Sequence, residues 1–219
     1  MRRVLFEKTG KAIWISHLDL MRVFQRAFKR AGLHLTHTQG FNPRPSVSIA
    51  LPLSVGVESV CELLDFDLDG DVVTNEELVS RLNTVLVPGV RVLEAYETGR
   101  KIRDLTLLEC DITLEYDLGV TAEAFSAITE LFNSESLVVP KKGKNGTQDQ
   151  DIIPMIRGLQ ISQVGDNTIL IKCCICCQNP SLNPMQLVAA IERYQPEHTP
   201  SFAKCRRLEI FDSELNVFR

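Results

Sequence analysis

The sequence predicts an α+β protein of two tandem ferredoxin-like (βαββαβ) sandwich domains, residues 1–100 and 101–219. Three observations predict it. Apolar residues switch between alternating and helical spacing in the order β-α-β-β-α-β, and the order then recurs. The helix starts carry capping patterns, Ser16 with Asp19 and Thr74 with Glu77, and Thr121 opens another. A polar stretch, Thr98 to Asp104, separates the two rounds. The fold name describes a topology and implies no iron–sulfur cluster.

Residues 2–6 and 12–15 bracket Thr9-Gly10-Lys11 and read as one interrupted or bulged strand. Ser16 caps a helix that runs to about Ala31 and stops at Gly32. Its core face is Met21, Phe24, Ala27, Phe28 and Ala31. The polar run from Thr36 to Pro45 holds Asn42-Pro43 and Pro45, which forbid helix and favour turns. Ser46 to Leu53 alternates as a strand, and Val60 to Leu68 is the next. A helix after Thr74 points Leu78, Leu82, Val85 and Leu86 inward and stops at Pro88-Gly89. Val90 to Tyr96 closes the first round.

The second round begins with a strand from Leu105 to Leu118 and a helix burying Ala124, Phe125, Ile128, Leu131 and Phe132. Ser136 to Pro140 is a short strand. A polar insertion follows at 141–150, and Asp151 to Ile156 reads as a helical turn. Leu159 to Val164 and Thr168 to Cys176 form a hairpin around Gly165-Asp166-Asn167. Asn183 and Pro184 open a helix with Leu187, Val188 and Ile191 inward, and Lys204 to Phe211 is the last strand. In such a domain two helices cover one face of the sheet, leaving the other to bind a ligand or to pack on its twin.

The composition is that of a globular protein: 219 residues, 44% hydrophobic, 24% charged. No apolar run is long enough to span a membrane, and the start, MRRVLFEKTGKAIWI, reads as a strand and not as a signal peptide. The seven cysteines then read as reduced thiols in the cytoplasm. Charge is unevenly placed. The first fifty residues carry nine basic and two acidic side chains, in a chain whose net charge is −4. That asymmetry fits a face for an anionic partner, or a solvated basic helix.

His17 and Asp19 flank the helix start. Either they form an acid–base pair beside the positive end of the helix, or Asp19 caps the helix and His17 packs beside it. Arg22, Arg26, Lys29 and Arg30 recur one turn apart, a spacing suited to successive phosphates. His34, His37, Gln39, Asn42 and Arg44 add donors to the same basin. Lys141-Lys142-Gly143-Lys144 reads as a mobile basic loop that contacts nucleic acid, or as a solvated insertion. Cys173, Cys174, Cys176 and Cys177 offer overlapping C-x-x-C spacings. Neighbouring strand side chains point to opposite faces, so the reading is buried small hydrophobes and no metal or cofactor. No nucleophile elbow, HExxH, phosphate-binding loop or dinucleotide fingerprint is present.

Three stretches resemble a known family: Ser16-His17-Leu18-Asp19-Leu20 with Arg26 and Arg30, Gln39-Gly40-Phe41-Asn42-Pro43-Arg44-Pro45, and Leu51-Pro52-Leu53-Ser54-Val55-Gly56-Val57-Glu58-Ser59. The family is the radical-SAM-associated domain of unknown function, or radical SAM-linked proteins. The likeness covers most of the chain and is sharpest over residues 5–65. Asp151-Ile152-Ile153-Pro154 resembles the family's Asp-Ile/Leu-Arg-Pro element, with Ile153 where arginine usually stands. The resemblance implies an accessory subunit, since members occur alone or fused behind radical SAM enzymes. It implies a radical SAM enzyme as partner and supplies no settled reaction. Tandem ferredoxin-like domains also resemble CRISPR repeat-processing endoribonucleases, by fold analogy alone.

Three functional expectations follow. The first is a binding module, inactive alone, that presents an RNA to a radical SAM partner. The second is an RNA-processing or RNA-modifying enzyme using His17 and Asp19. The third is a scaffold for the partner enzyme alone, marked by an exposed apolar patch on an open sheet face.

Overall fold

A computed structural model describes residues 1–70, 72–143 and 146–219. The chain is mixed α/β, with mostly antiparallel strand pairing and four α-helices among the described residues. It divides into two compact units, Met1–Asp104 with Arg219, and Leu105–Phe218. None of the described helices is long and apolar enough to cross a membrane.

The first unit runs β1 (Arg2–Lys8), α1 (His17–Arg30), β2 (Val47–Ile49), β3 (Glu58–Phe66), α2 (Asn75–Asn83) and β4 (Val90–Glu97). Its strands pair in the order β4-β1-β3-β2, each antiparallel to its neighbour. Alternation puts Val4, Phe6, Leu64 and Phe66 on one face, and α1 lays Leu20, Phe24, Ala27 and Phe28 into the same core. Phe6 meets Phe24 edge-on at 4.7 Å, and Phe28 meets Phe66 at 4.8 Å. Full burial of each such ring contributes about 1.5–3 kcal/mol. Met21 and Ala31 are only partly buried, and Leu20 takes the first core position of the helix.

Both caps in this unit form as the sequence predicts. Ser16 Oγ accepts from the Asp19 N–H, and Thr74 Oγ1 from the Glu77 N–H. Gly32, at φ +68°, ends α1 in the left-handed region. Three expectations change. Residues 10–14 form a 3-10 turn in place of the second half of an interrupted strand, because Lys8 is buried and its ammonium donates to the Ile15 carbonyl at 2.9 Å. That pulls the chain into a tight return. The strand expected over 46–53 shrinks to Val47–Ile49. Helix α2 ends at Asn83, so Val85 and Leu86 pack on the core from a turn.

The second unit runs β5 (Leu107–Glu115), α3 (Ala122–Phe132), β6 (Val138–Gly143), β7 (Gly146–Asp151), β8 (Ile156–Val164), β9 (Thr168–Cys176), α4 (Met185–Tyr194) and β10 (Phe202–Phe211). Its main strands pair antiparallel in the order β10-β5-β9-β8. Thr121 Oγ1 caps α3, and Asn183 Oδ1 accepts from the Met185 N–H at the start of α4. The described part of the insertion is paired: β6 and β7 form a two-stranded ladder from Val138↔Asp151 to Gly143↔Gly146. The main sheet has two unlike faces. Leu108, Cys110, Ile112, Leu114, Ile169, Ile171, Cys173 and Ile175 line a buried one. Glu109, Asp111, Thr113, Lys172 and Cys174 line a polar one that is exposed or half-buried.

Candidate functional site

The solvent side of α1 carries Asp19, Arg22, Arg26, Lys29 and Arg30, all exposed. From Arg22 to Arg30 the stripe is about 12 Å long. Its two ends differ. At the N-terminal end Asp19 is fully engaged. Its Oδ2 accepts from the Ser16 hydroxyl at 2.8 Å, and its Oδ1 from Arg22 Nη1 at 2.8 Å. The Ser16 hydrogen bond first, and then Arg22, hold the Asp19 carboxyl below the usual carboxylate range. No hydrogen bond joins His17 to Asp19 among the described residues, and His17 Nδ1 is buried without a partner. The geometry is that of a cap with an ion pair.

At the C-terminal end Arg26, Lys29 and Arg30 have no hydrogen bond or ion pair among the described residues. Lys29 and Arg30 sit in the last turn, where the helix dipole favours cations. Lys29 also opens into a cleft of about 580 Å³ with Gln25, Phe28, Leu33, His34, Leu35, His37, Pro45 and Asp69.

Backbone pairing builds the far wall of that cleft. Asp69 N–H donates to the His34 carbonyl at 2.8 Å, and Thr36 N–H to the Asp67 carbonyl at 2.9 Å. On the other side Ser46 N–H donates to the Thr36 carbonyl at 2.7 Å, and Thr38 N–H to the Arg44 carbonyl at 2.8 Å. The segment 34–38 is therefore pinned between 67–69 and 44–46. The polar loop becomes a short hairpin that presents Gln39, Phe41, Asn42 and Arg44 to solvent, with Gly40 at φ +133° near its tip.

The structure thus gathers Lys29, His34 and His37 in one cleft, and leaves Arg22, Arg26, Arg30, Gln39, Asn42 and Arg44 exposed outside its lining. Gln25 and Asp69 are additions that the sequence did not single out, and Phe41, part of the Gln39–Pro45 stretch, is fully exposed. Gln25 was legible one turn ahead of Lys29. Asp69 was not, because only the pairing of residues 34–36 with 67–69 brings it there.

The basic run in the second unit behaves differently. Lys141 is half-buried, and its ammonium donates to the Ser181 carbonyl at 2.8 Å and to Ser181 Oγ at 3.1 Å. Lys142 is placed by its backbone opposite Thr147. Lys144 lies outside the described residues. Asp151, in the Asp-Ile-Ile-Pro element, accepts from the Leu137 and Ile153 N–H groups at 2.9 and 3.1 Å. These bonds, the Leu137 one foremost, hold its carboxyl below the usual range and lock the turn. Ile153, in the arginine position, lines a small cavity of about 270 Å³ with Phe132, Ile156 and Leu159.

The cysteines spread over both sheet faces. Cys110, Cys173 and Cys176 are buried, and Cys174 and Cys177 half-buried. Cys110 Sγ lies 3.4 Å from Cys173 Sγ, and that hydrogen bond pushes the Cys110 thiol well above its ordinary value. Burial pushes Cys177 up to about 12. Protonated thiols are poor nucleophiles and poor ligands. Among the described residues no three His, Cys, Asp or Glu side chains are placed to share a metal ion.

No curated protein matches this sequence. Among solved structures, a chain of a Cbf5-Nop10-Gar1 complex is similar at 7% identity and a TM-score of 0.47, over 95% of this chain. This chain spans 48% of that one. An unknown protein from Galdieria sulphuraria is similar at 10% identity and a TM-score of 0.27, over 94% of this chain and 95% of that one. The match that extends along the sequence is to a family: residues 2–184, from β1 to the start of α4 and including the whole cleft, match the uncharacterized proteins conserved in bacteria grouped as DUF2344, and the chain belongs to that family.

Proposed function

We propose that this chain is an RNA-binding accessory module, inactive alone, that presents an RNA to a partner enzyme in the cytoplasm. One observation carries the reading. Arg26 stands one turn from Lys29 and Arg30, all three exposed and without ion pairs among the described residues, and Lys29 opens directly into the His34/His37 cleft. Guanidinium and ammonium groups so spaced suit consecutive phosphates. Phe41, exposed on the adjoining hairpin with Arg44, offers a ring on which a base can stack. That the partner is a radical SAM enzyme rests on the sequence resemblance alone. We also read each unit as a ferredoxin-like sandwich. The antiparallel orders β4-β1-β3-β2 and β10-β5-β9-β8 support this, with the β6–β7 hairpin inserted in the second.

The test is RNA binding as a function of salt. The affinity of the native chain for cellular RNA falls steeply with ionic strength. Replacing Arg26 and Arg30 by Glu lowers it more than tenfold and flattens the log–log slope by about 0.7 per lost phosphate contact on a single strand. Salt-independent binding, or no binding to any cellular RNA, removes this reading.

A scaffold reading has one observation in its favour. Trp14, Leu18 and Val55 are 64%, 69% and 53% exposed, and the Trp14 ring packs over Gly56. These side chains cluster near the start of α1, whereas the scaffold reading placed its apolar patch on an open sheet face. Recovery of a protein partner with no RNA, lost on Trp14→Ala, favours it.

A further inference from the structure

The cleft beside α1 is more than an anion site, and its lining is uneven in an informative way. Its floor is apolar: Phe28 and Leu33 are sealed beneath it, and Leu35 and the half-buried Pro45 reach its surface. Its rim holds cations or potential cations at Lys29, His34 and His37, one amide at Gln25, and one carboxylate at Asp69. A groove that only tracked phosphates would gain nothing from that carboxylate, which repels them. The floor would likewise be wasted on a phosphate chain. Apolar floor, cationic edge and one acceptor pair form the set that a nucleotide needs: a surface for the flat base, a charge for its phosphate, and a reader for the base edge.

Asp69 also discriminates among the bases. Its carboxylate has no hydrogen bond or ion pair among the described residues, and its backbone is fixed through its N–H to the His34 carbonyl at 2.8 Å. An ionised carboxylate accepts only, and accepts best from two adjacent N–H groups. Guanine alone presents such a pair, N1–H beside the N2 amino group. Adenine and cytosine each offer an amino group beside a ring acceptor that the carboxylate repels. Uracil flanks its one N–H with two carbonyls. The volume, about 580 Å³, lies within the usual range for small-ligand pockets.

We propose that this cleft takes one unstacked guanine nucleotide. Its Watson–Crick edge meets Asp69, its base lies against Leu35 and Pro45, and its phosphate meets Lys29. The inference rests on the RNA-binding reading, because it names the residue of the RNA that the module grips.

The experiment is equilibrium dialysis of the full chain against GMP, AMP, CMP and UMP, each at fixed ionic strength. GMP binds about tenfold to hundredfold tighter than the other three, the span that one good bidentate contact supplies. Asp69→Asn brings GMP down to the level of AMP without changing the melting temperature, since Asp69 is exposed. GMP also protects His37 from acylation by diethyl pyrocarbonate, and inorganic phosphate does so far less. Equal binding of all four nucleotides, no binding of any, or an Asp69→Asn chain that keeps its preference for GMP overturns the proposal. The two readings fail separately. Salt-dependent RNA binding with no guanine preference sinks the cleft inference alone. Guanine preference with no binding of RNA sinks the RNA reading and leaves a mononucleotide site.

Discussion

Replacing Ser16 with alanine separates the two readings of the α1 N-terminus. The Ser16 hydroxyl accepts from the Asp19 N–H at 3.2 Å and donates to Asp19 Oδ2 at 2.8 Å. Loss of such a cap costs about 1 kcal/mol. In a unit of roughly 100 residues that lowers the melting temperature by about 4–8 °C. Trp14, the chain's single tryptophan, lies two residues before the cap, so its fluorescence during urea or thermal unfolding reports the first unit. The pH dependence adds a second arm. Asp19 has a lowered folded-state pKa, so its contribution to stability is present above the ordinary carboxylate value, about 3.9, and is lost as pH falls through the lowered one. Ser16→Ala removes the largest cause of that lowering. The gap between native and variant is therefore widest near neutrality and narrows below about pH 4. A variant that matches the native chain in stability across this range refutes the capping account. If the same variant loses an RNA-directed reaction, Ser16 and Asp19 serve chemistry.

Three further outcomes are expected. Gly89→Ala lowers the urea midpoint by more than 1 kcal/mol equivalent, because φ is +88° and the new Cβ would run into the Thr9 carbonyl and lie 2.9 Å from Ala12 Cβ; a change under about 0.5 kcal/mol contradicts this. Asp65→Ala costs about 3–5 kcal/mol, since fully buried Arg3 donates to both Asp65 oxygens, at 2.5 and 3.1 Å, and would lose that countercharge; a loss below about 1 kcal/mol means the pair is effectively solvated. Alkaline titration followed by phenolate absorbance finds Tyr96 and Tyr116 ionising near pH 12, each pushed up mainly by burial. Stability is then full below pH 10, the ordinary tyrosine value, and falls as pH rises toward 12; ionisation of both near 10 in the folded chain contradicts the burial seen here.

What the sequence determined by itself is what short-range physics controls. Ser16, Thr74 and Thr121 cap their helices through side-chain oxygens three residues from their donors, and Gly32 ends α1, so both kinds of boundary could be read from spacing. The order of strands and helices was legible for the same reason, because alternation and helical periodicity are set within a few residues. The errors fell where a distant partner decided. Residues 12–15 look like strand but turn, because buried Lys8 needs the Ile15 carbonyl. The 141–150 insertion looks like a mobile loop, but its described residues pair as β6 and β7, and Lys141 turns from a phosphate ligand into an anchor on Ser181. The stripe of α1 was visible as a stripe. Which of its cations lack an ion pair among the described residues was not: Arg22 pairs with Asp19, and of the stripe Lys29 lines the cleft. Tertiary structure decided the cleft itself, because its wall depends on residues 34–38 pairing with 67–69 and 44–46. Those bonds join segments more than twenty residues apart on one side, and their register leaves no trace in local spacing.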